Sequence, residues 1–294
     1  MKAPLPTVDG IGPSRITLPQ GNWKSILEFL IEHFPDIPPS VWISRMDEGK
    51  VVDENGIVLT GETPYRRGTR IFYYRELKKE PPIPFEEEIL YHDDNLIVTD
   101  KPHFLPVVPS GRFLRETLLV RLKRKLNLEE LVPVHRIDRD TAGIVVFSCN
   151  TATRGDYAVL FQKRSVEKVY EALAPTLSGA HFPIRHRSCI VRGEPFFRMK
   201  EIEGKPNSET LIDVLEEKGD CTLYRLHPLT GRKHQIRLHL AALGIAIIND
   251  RLYPDLLPRK EDDFSQPLKL LARSVSFDDP LTGQHRRFKS NRRL

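Results

Sequence analysis

Cysteine is scarce in this sequence, and the three cysteines present show no paired spacing. Cys149, Cys189 and Cys221 lie far apart and form no C-x-x-C motif. An odd number of isolated cysteines argues against a disulfide-stapled scaffold and offers no zinc-knuckle ligand set. We therefore expect a protein of a reducing compartment, and the chain is long enough to bury a sizeable core.

Long apolar runs are also missing. The longest, at residues 240–248, is too short to span a bilayer, and residues 1–6 start no apolar signal region. We expect a soluble, cytoplasmic protein with no membrane partner. Its 294 residues suit one large domain and one small domain better than a single unit.

The recognisable motifs of metal-dependent and serine hydrolases are absent as well. His234 and His239, like His181 and His186, lack the i, i+4 spacing of H-E-x-x-H. No G-x-S-x-G elbow exists to expose a catalytic serine. The sequence therefore predicts no metal site.

Charge is present in a mild basic excess. Lys and Arg number 45 against 40 Asp and Glu, which gives a net charge of +5 and a pI of about 9.0. Cations cluster at residues 121–125, at 181–210 and in the tail at 284–294. Each cluster is either a track for the phosphates of a polyanionic partner or an ordinary solvated surface, and both interpretations stay open.

The densest pattern of charged and small residues is the string HRIDRDTAG at residues 135–143, which runs into IVVF at residues 144–147. The apolar, β-branched run predicts a buried strand. Asp138 stands just before it, between Arg136 and Arg139. A carboxylate held there by cations is either part of a structural ion pair or a reactive group, and the spacing does not choose between them.

Two further segments show the residue spacing of a strand and of a helix, and both carry polar residues. The string VEKVYEAL at residues 166–173 alternates like a strand, which puts Lys168 and Tyr170 on one face. In GRKHQIRLHLAALG at residues 231–244, the apolar positions share one helical face and Gly244 is placed to end the helix.

Three more strings complete the pattern: EILYHDDNLIVTDKP at residues 88–102, NDRLY at 249–253 and LLARSVSFDDPLTG at 270–283. The first reads as two strands around an Asp-Asp-Asn turn. With the blocks above, these strings resemble the signatures of the RluA-type pseudouridine synthases, above all H-R-[LI]-D-x-x-T-[SA]-G and G-R-x-H-Q-I-R-x-H-L-x-x-x-G. A match of this length is far more specific than a lone short motif.

The resemblance implies roles for individual residues. Asp138 would be the catalytic nucleophile, Arg237 would pair with it, and the ring of Tyr170 would stack on a flipped base. Arg136 would fill the gap that the flipped base leaves. The other substrate-binding positions that the match implies are Lys101, His135, Arg139, Thr141, Lys168, Arg232, Gln235 and Ile236. An ordinary half-buried strand tyrosine is the alternative interpretation of Tyr170.

The implied fold class is α+β. Residues 81–294 would form the catalytic domain, a mixed and mainly antiparallel sheet with flanking helices and a basic C-terminal tail. Residues 1–22 are predicted to form an extended segment that leads into the first domain. Residues 77–85 combine charged residues with prolines, a composition typical of a linker. Residues 23–80 resemble the small S-four-type RNA-binding domain named after a ribosomal small-subunit protein. An accessory domain that contacts no RNA is the alternative.

The implied function is isomerisation of specific uridines in structured RNA to pseudouridine, with ribosomal RNA favoured over transfer RNA. The reaction needs no redox centre or nucleotide energy, so no cofactor is predicted, and we expect a monomer. A non-catalytic RNA-binding protein that keeps the scaffold is the competing class. The joint presence of Asp138, Tyr170 and Arg237 favours the enzyme.

Overall fold

The computed structural model describes residues 3–75, 80–258 and 263–294. The chain divides into two compact units, Met1–Glu80 with Gly111–Arg115, and Pro81–Ser110 with Glu116–Leu294. The division at residue 80 falls within the stretch predicted as a linker, of which residues 77–79 lie outside the described residues. The assignment of the first unit as an RNA-binding domain stays a prediction.

Among its described residues, the first unit contains two helices, α1 (Ile26–His33) and α2 (Pro39–Asp47), and three strands, β1 (Ser14–Thr17), β2 (Val51–Asp53) and β3 (Arg70–Tyr73). The strands form an antiparallel sheet in the order β1-β3-β2. Strand β1 lies in the segment predicted as an extended lead-in, and it is extended because it pairs along β3. Helix α1 begins where the Ser25 hydroxyl accepts the Glu28 N–H at 3.2 Å.

The second unit is built on a large sheet with three helices among its described residues. The helices are α3 (Leu118–Leu126), α4 (Arg154–Gln162) and α5 (Gln235–Ala242). The strands are β4 (Glu88–His92), β5 (Leu96–Lys101), β6 (Val132–Pro133), β7 (Ala142–Ser148), β8 (Glu167–Pro175), β9 (Ile184–Arg192), β10 (Met199–Ile202), β11 (Ser208–Lys218), β12 (Cys221–Pro228), β13 (Leu270–Asp278) and β14 (His285–Lys289).

The order along this sheet is β10-β9-β11-β12-β8-β13-β7-β5-β4, with β14 on β13 and β6 on β7. Every pairing is antiparallel except that of β13 with β7. The sheet is therefore mixed and mainly antiparallel, as the resemblance implied. All seven residues of β7 are buried, which confirms the predicted buried strand after the HRIDRDTAG string.

The close approach of β7 to β13 depends on Gly143. Its φ is +113°, and a Cβ built on it would lie 2.2 Å from the carbonyl oxygen of Ala272. Only glycine allows both the backbone angle and this contact. The turn that carries Asp138 is thus anchored to the centre of the sheet.

One face of helix α5 packs against strands β8, β12 and β13 of the large sheet. Its Ile236 and Leu240 lie in one core with Ala172 of β8, Tyr224 of β12 and Leu270 of β13. Gly244, at φ +78°, follows the end of the helix as the sequence predicted. In the described part of the chain, no helix is both long and apolar enough to cross a membrane.

Candidate active site

Asp138 lies in the turn immediately before the central strand β7. Its carbonyl oxygen accepts the N–H of Thr141 at 3.2 Å, which closes a four-residue turn, and Thr141 itself is buried. The Asp138 side chain is 27% exposed. A carboxylate is therefore held at the rim of the core, where a ligand can still reach it.

Lys101 holds the backbone of this turn through hydrogen bonds to carbonyl oxygens. Its fully buried ammonium group donates to the carbonyl oxygens of Pro102 and Leu105 at 2.8 Å and of Arg139 at 3.0 Å. Burial lowers the pKa of Lys101 to about 7, although the negative charges of Asp140 and Asp138 act to raise it. The sequence placed Lys101 among the substrate-binding residues, but its three donors are all used by the backbone, so it positions the turn.

Arg237 of α5 reaches the Asp138 carboxylate, with Nη1 at 3.5 Å from Oδ2. Its stronger partner is Asp250, which was not among the predicted site residues. Nε and Nη2 donate to the two oxygens of Asp250 at 2.7 and 2.6 Å. The resemblance implied that Arg237 pairs with Asp138. In the structure two of its nitrogens donate to Asp250, and only the third, Nη1, faces Asp138.

The Arg237–Asp250 pair is one of the most deeply buried ion pairs of the second unit, with side chains 3% and 0% exposed. Burial disfavours the charged guanidinium, but the hydrogen bonds and charge of Asp250 outweigh it and raise the pKa of Arg237. The guanidinium is thus a fixed positive charge that cannot swing away. Asp250 is the Asp of the NDRLY string, so its sequence signal was the motif that carries it.

His234 also faces Asp138, and sequence reasoning considered it only as a metal ligand. Its Nε2 lies 3.8 Å from Asp138 Oδ1, and its Nδ1 lies 2.8 Å from the Tyr253 hydroxyl. That hydroxyl accepts the N–H of Met199 at 2.8 Å, so its own proton is free to be donated to Nδ1. With the hydroxyl donating to Nδ1, the neutral ring carries its proton on Nε2, the nitrogen that faces Asp138.

The position of His234 follows from its backbone and its burial. It precedes α5 as the N-cap residue in the left-handed region, at φ +56° and ψ +16°. Burial lowers its pKa to about 4, although the charge of Asp138 works in the other direction. At neutral pH the ring is uncharged and acts as a hydrogen-bond donor or acceptor.

Tyr170 lies on β8, opposite Leu226 of β12 and Ala272 of β13. Burial and the negative charge of Asp138 raise the pKa of its hydroxyl, so the phenol keeps its proton at neutral pH. Lys168, two residues earlier, donates to the carbonyl oxygen of Thr230 at 3.3 Å. Burial lowers the pKa of Lys168.

His135 supports the strand that follows the turn. Its Nε2 accepts the N–H of Val146 at 3.1 Å, and its ring stacks on Phe161 with centroids 4.7 Å apart. Burial lowers its pKa to about 3, which keeps the ring neutral. The sequence placed His135 among the substrate-binding residues, whereas the structure engages its ring in the fold.

The predicted residues at the start of α5 have mainly structural contacts. The Gln235 amide donates to Glu209 O and Thr210 Oγ1 at 2.9 Å each and accepts from the Thr230 hydroxyl at 2.6 Å. Ile236 is buried in the core. The exposed Arg232 donates to the carbonyl oxygen of Asn207 at 3.2 Å.

Arg136 and Arg139 flank Asp138 in sequence but differ in their contacts. Arg139 pairs with Asp140, at 3.1 Å from Nη2 to Oδ1. Arg136 is exposed, and within residues 3–75, 80–258 and 263–294 no group forms a hydrogen bond or ion pair with it. Its guanidinium is available to a ligand.

A second polar cluster lies away from Asp138, on β9, β10 and α5. His186, Glu201 and His239 bring possible ligand atoms within 4.8 Å of one another. Burial lowers the pKa of His239 to about 3, and its Nδ1 and Nε2 are hydrogen-bonded to the hydroxyls of Thr210 (2.9 Å) and Ser208 (3.1 Å). Since hydroxyls already satisfy the buried ring, a metal is not required here, and the absence of a metal site stays a prediction.

Comparison with known proteins identifies the family. A family model described as RNA pseudouridylate synthase matches residues 95–242, half of the chain. The chain is 30% identical over 221 residues to the dual-specificity RNA pseudouridine synthase RluA of Haemophilus influenzae, covering 73% of this chain and 97% of that protein. The chain belongs to the RluA-type family of RNA pseudouridine synthases.

Further similarities extend the same finding. An uncharacterized RNA pseudouridine synthase of Synechocystis is 28% identical over 234 residues, 78% of this chain and 79% of that protein. The solved structure of human RNA pseudouridylate synthase domain containing 1 superposes with a TM-score of 0.59 at 25% identity, covering 73% and 86% of the two chains. The fold is therefore that of a pseudouridylate synthase, and the protein is an isomerase that converts uridine in RNA to pseudouridine.

Proposed function

We propose that this RluA-type synthase isomerises uridines in structured RNA with Asp138 as the nucleophile and with the target base flipped out of the RNA. The observation that carries the proposal is the pairing of an accessible carboxylate, Asp138, with a buried guanidinium, Arg237, that Asp250 fixes in place. Fixed charges that need not reorganise are what a reacting carboxylate requires.

The two contacts to Asp138 position its carboxylate but leave the carboxylate oxygens able to react. Arg237 Nη1 lies 3.5 Å from Oδ2 and His234 Nε2 lies 3.8 Å from Oδ1, both longer than a normal hydrogen bond. The carboxylate thus lies beside a fixed positive charge, and the lone pairs of its oxygens remain available. A nucleophile needs free lone pairs.

The reaction itself conserves every atom. The bond from the sugar to N1 of uracil breaks, the base rotates, and a new bond forms from the sugar to C5 while the proton of C5 is lost and N1 regains one. No oxidant, reductant or energy source is consumed. The bond that Asp138 forms with the substrate as a nucleophile breaks again before the product leaves, so the carboxylate is regenerated. The chain must also stabilise the detached uracil and move a proton.

Tyr170 is suited to the detached base. Its ring offers a stacking surface, and its hydroxyl stays protonated beside Asp138. A neutral hydroxyl donates a hydrogen bond to the negative charge that uracil acquires when it leaves the sugar. The proposed role of Tyr170 therefore combines stacking with hydrogen-bond donation.

Base flipping requires a group that fills the vacated position in the RNA. Extrusion of a nucleotide costs a few kcal/mol of unstacking free energy. The exposed Arg136, two residues before Asp138, is free to occupy the gap and to stack on the neighbouring bases. We propose Arg136 as this wedge.

The RNA class is proposed from two resemblances. The similar RluA protein of Haemophilus influenzae is a dual-specificity RNA pseudouridine synthase, so we propose that this chain also acts on more than one RNA. We favour ribosomal over transfer RNA because residues 23–80 resemble an RNA-binding domain of a ribosomal protein. Action as a cytoplasmic monomer completes the proposal.

The direct test is incubation of the purified full chain with unmodified ribosomal and transfer RNA transcripts. We expect pseudouridine at a few discrete uridines, preferentially in ribosomal RNA, without added metal or cofactor. Carbodiimide labelling followed by reverse transcription locates each product. Tight binding of both RNAs without any pseudouridine would instead identify a non-catalytic RNA-binding protein on the same scaffold.

Removal of the Tyr170 hydroxyl separates its two proposed roles. We expect Tyr170→Phe to lower turnover by about 100-fold or more, because a hydrogen-bond donor to the leaving uracil is lost. RNA affinity should stay the same, since the stacking ring remains. Single-turnover kinetics and a binding isotherm measure the two effects.

The matched control is Tyr65→Phe, which removes a hydroxyl that donates to the Pro19 carbonyl oxygen at 2.6 Å in the first unit. This control should keep wild-type turnover. Wild-type turnover by Tyr170→Phe would restrict Tyr170 to stacking alone.

A further inference from the structure

The hairpin of β9 and β10 carries two phenylalanines in its turn that the proposed chemistry does not use. Phe196 is 86% exposed and Phe197 is 37% exposed. Elsewhere among the described residues the exposed large apolar side chains reach no more than 62%. Single exposed apolar residues are common on protein surfaces, so exposure alone decides nothing.

The two rings are paired rather than scattered. Their centroids lie 5.5 Å apart at an interplanar angle of 81°, an edge-to-face arrangement that leaves ring faces open to solvent. The turn is ordered by hydrogen bonds from Gly193 N to Arg198 O at 3.1 Å and from Arg198 N to Pro195 O at 2.8 Å. The aromatic pair is thus presented on a defined turn.

Two cations attach this turn to the residues around Asp138. Lys233 donates to the carbonyl oxygen of Phe197 at 2.8 Å, and Lys233 directly precedes His234. Arg198 donates to the carbonyl oxygen of Pro254 at 2.6 Å, and its guanidinium lies 5.2 Å from the ring centroid of Tyr253. The hairpin therefore contacts Tyr253 of the candidate active site and Lys233, the sequence neighbour of His234.

The charge around the turn suits a polyanion. Four cations lie in the turn, on its flanking strands or against it: Arg192, Arg198, Lys200 and Lys233. The same turn and strands carry two acidic residues, Glu194 and Glu201. Cations with interleaved aromatic rings form the usual surface for unpaired nucleotides, because rings stack on bases while cations meet phosphates. Neither a purely apolar partner nor a purely electrostatic one explains both features.

We propose that Phe196 and Phe197 form a stacking platform for an unpaired nucleobase of the substrate RNA, close to the target uridine. The inference rests on RNA being the substrate of the proposed reaction. It assigns to the 181–210 segment a base contact in addition to the phosphate contacts considered from the sequence. The chemical class of the ligand is a single-stranded or looped-out nucleotide.

The test uses the full chain and two labelled probes, an oligouridine of about 12 nucleotides and an RNA duplex of similar length. The variant is Phe196→Ala with Phe197→Ala. We expect its affinity for oligouridine to fall roughly 10- to 100-fold and its affinity for the duplex to stay the same. The salt dependence of oligouridine binding should not change, because no phosphate contact is removed.

Two controls sharpen the result. Leu281→Ala removes an exposed apolar side chain, 44% exposed, after β13 and should leave both affinities unchanged. Phe196→Leu with Phe197→Leu keeps apolar area but lacks the aromatic face, so it should resemble the alanine variant. An unchanged circular dichroism spectrum and melting temperature exclude misfolding as the cause.

The outcomes separate this inference from the proposed function. Unchanged oligouridine affinity in the double alanine variant would overturn the platform, even if pseudouridine is still formed. Loss of self-association in sedimentation, with RNA affinity intact, would likewise overturn it in favour of contact between copies of the chain. If the wild type forms no pseudouridine but its oligouridine binding depends on the two rings, the platform stands and the catalytic proposal fails.

Discussion

Asp138→Asn is expected to abolish pseudouridine formation while leaving the fold and RNA binding in place. The substitution keeps the size and shape of the side chain but replaces the charged oxygen that attacks the substrate with an amide. A carboxamide is a far weaker nucleophile, so turnover should fall roughly 10,000-fold or more. Because the side chain is 27% exposed and its two contacts are long, stability should change by less than about 1 kcal/mol.

The measurement is single-turnover pseudouridine formation, with mass spectrometry to exclude deamidation of the new asparagine back to Asp. Asp140→Asn is the matched control, since Asp140 lies two residues away in the same turn and pairs with Arg139 at 3.1 Å. It should retain most of the activity. Measurable product from Asp138→Asn itself, with deamidation excluded, would return Asp138 to the role of a structural ion-pair partner.

The second large effect is expected from the Arg237–Asp250 pair. Arg237→Lys removes the fork that donates to both oxygens of Asp250 and the third nitrogen that reaches Asp138. One ammonium group cannot serve two carboxylates at those positions. We expect turnover to fall by about 1,000-fold and the melting temperature to drop, since Asp250 is fully buried.

Asp250→Asn tests the same pair from the other side. It leaves the guanidinium of Arg237 buried without its anion, which costs about 3–5 kcal/mol when one partner of a buried pair is lost. Turnover should also fall, because Arg237 is no longer held in place, although Asp250 does not touch Asp138. Thermal unfolding and single-turnover kinetics on the same samples measure both effects.

Arg251→Lys provides the control for these variants. Arg251 pairs with Asp263 at 3.3 Å, but both side chains are about a quarter exposed, so the exchange should be nearly neutral. If Arg237→Lys and Asp250→Asn proved as mild as this control, the buried pair would have no part in positioning Asp138. Loss of stability with full activity in the folded fraction would lead to the same conclusion.

Local patterns were sufficient for several elements of this protein. The β-branched run after HRIDRDTAG is the buried strand β7, the alternation around Tyr170 is β8, and the 3.6-residue period before Gly244 is α5. These patterns predict well because each reports which side of a single element is buried. The family signatures added the residues Asp138, Tyr170 and Arg237 as candidates, and the family itself is confirmed.

These local patterns could not predict contacts between distant parts of the chain. The sequence placed Lys101 and His135 in the substrate site, yet backbone carbonyls surround the ammonium of Lys101 and Val146 donates to the ring of His135. It omitted Asp250 and considered His234 only as a metal ligand. A side chain's partners depend on which strands become neighbours, and no local period encodes that choice.

What the sequence determined by itself was thus several of the elements, the family and the candidates for the catalytic residues. The tertiary structure decided the contacts of Asp138: one nitrogen of a guanidinium that Asp250 fixes, and one nitrogen of a neutral imidazole that Tyr253 orients. The physical reason is that hydrogen bonds and charge interactions act over a few ångströms in space. Asp138, His234 and Asp250 meet at that range only after β7 and α5 have taken their places on the sheet.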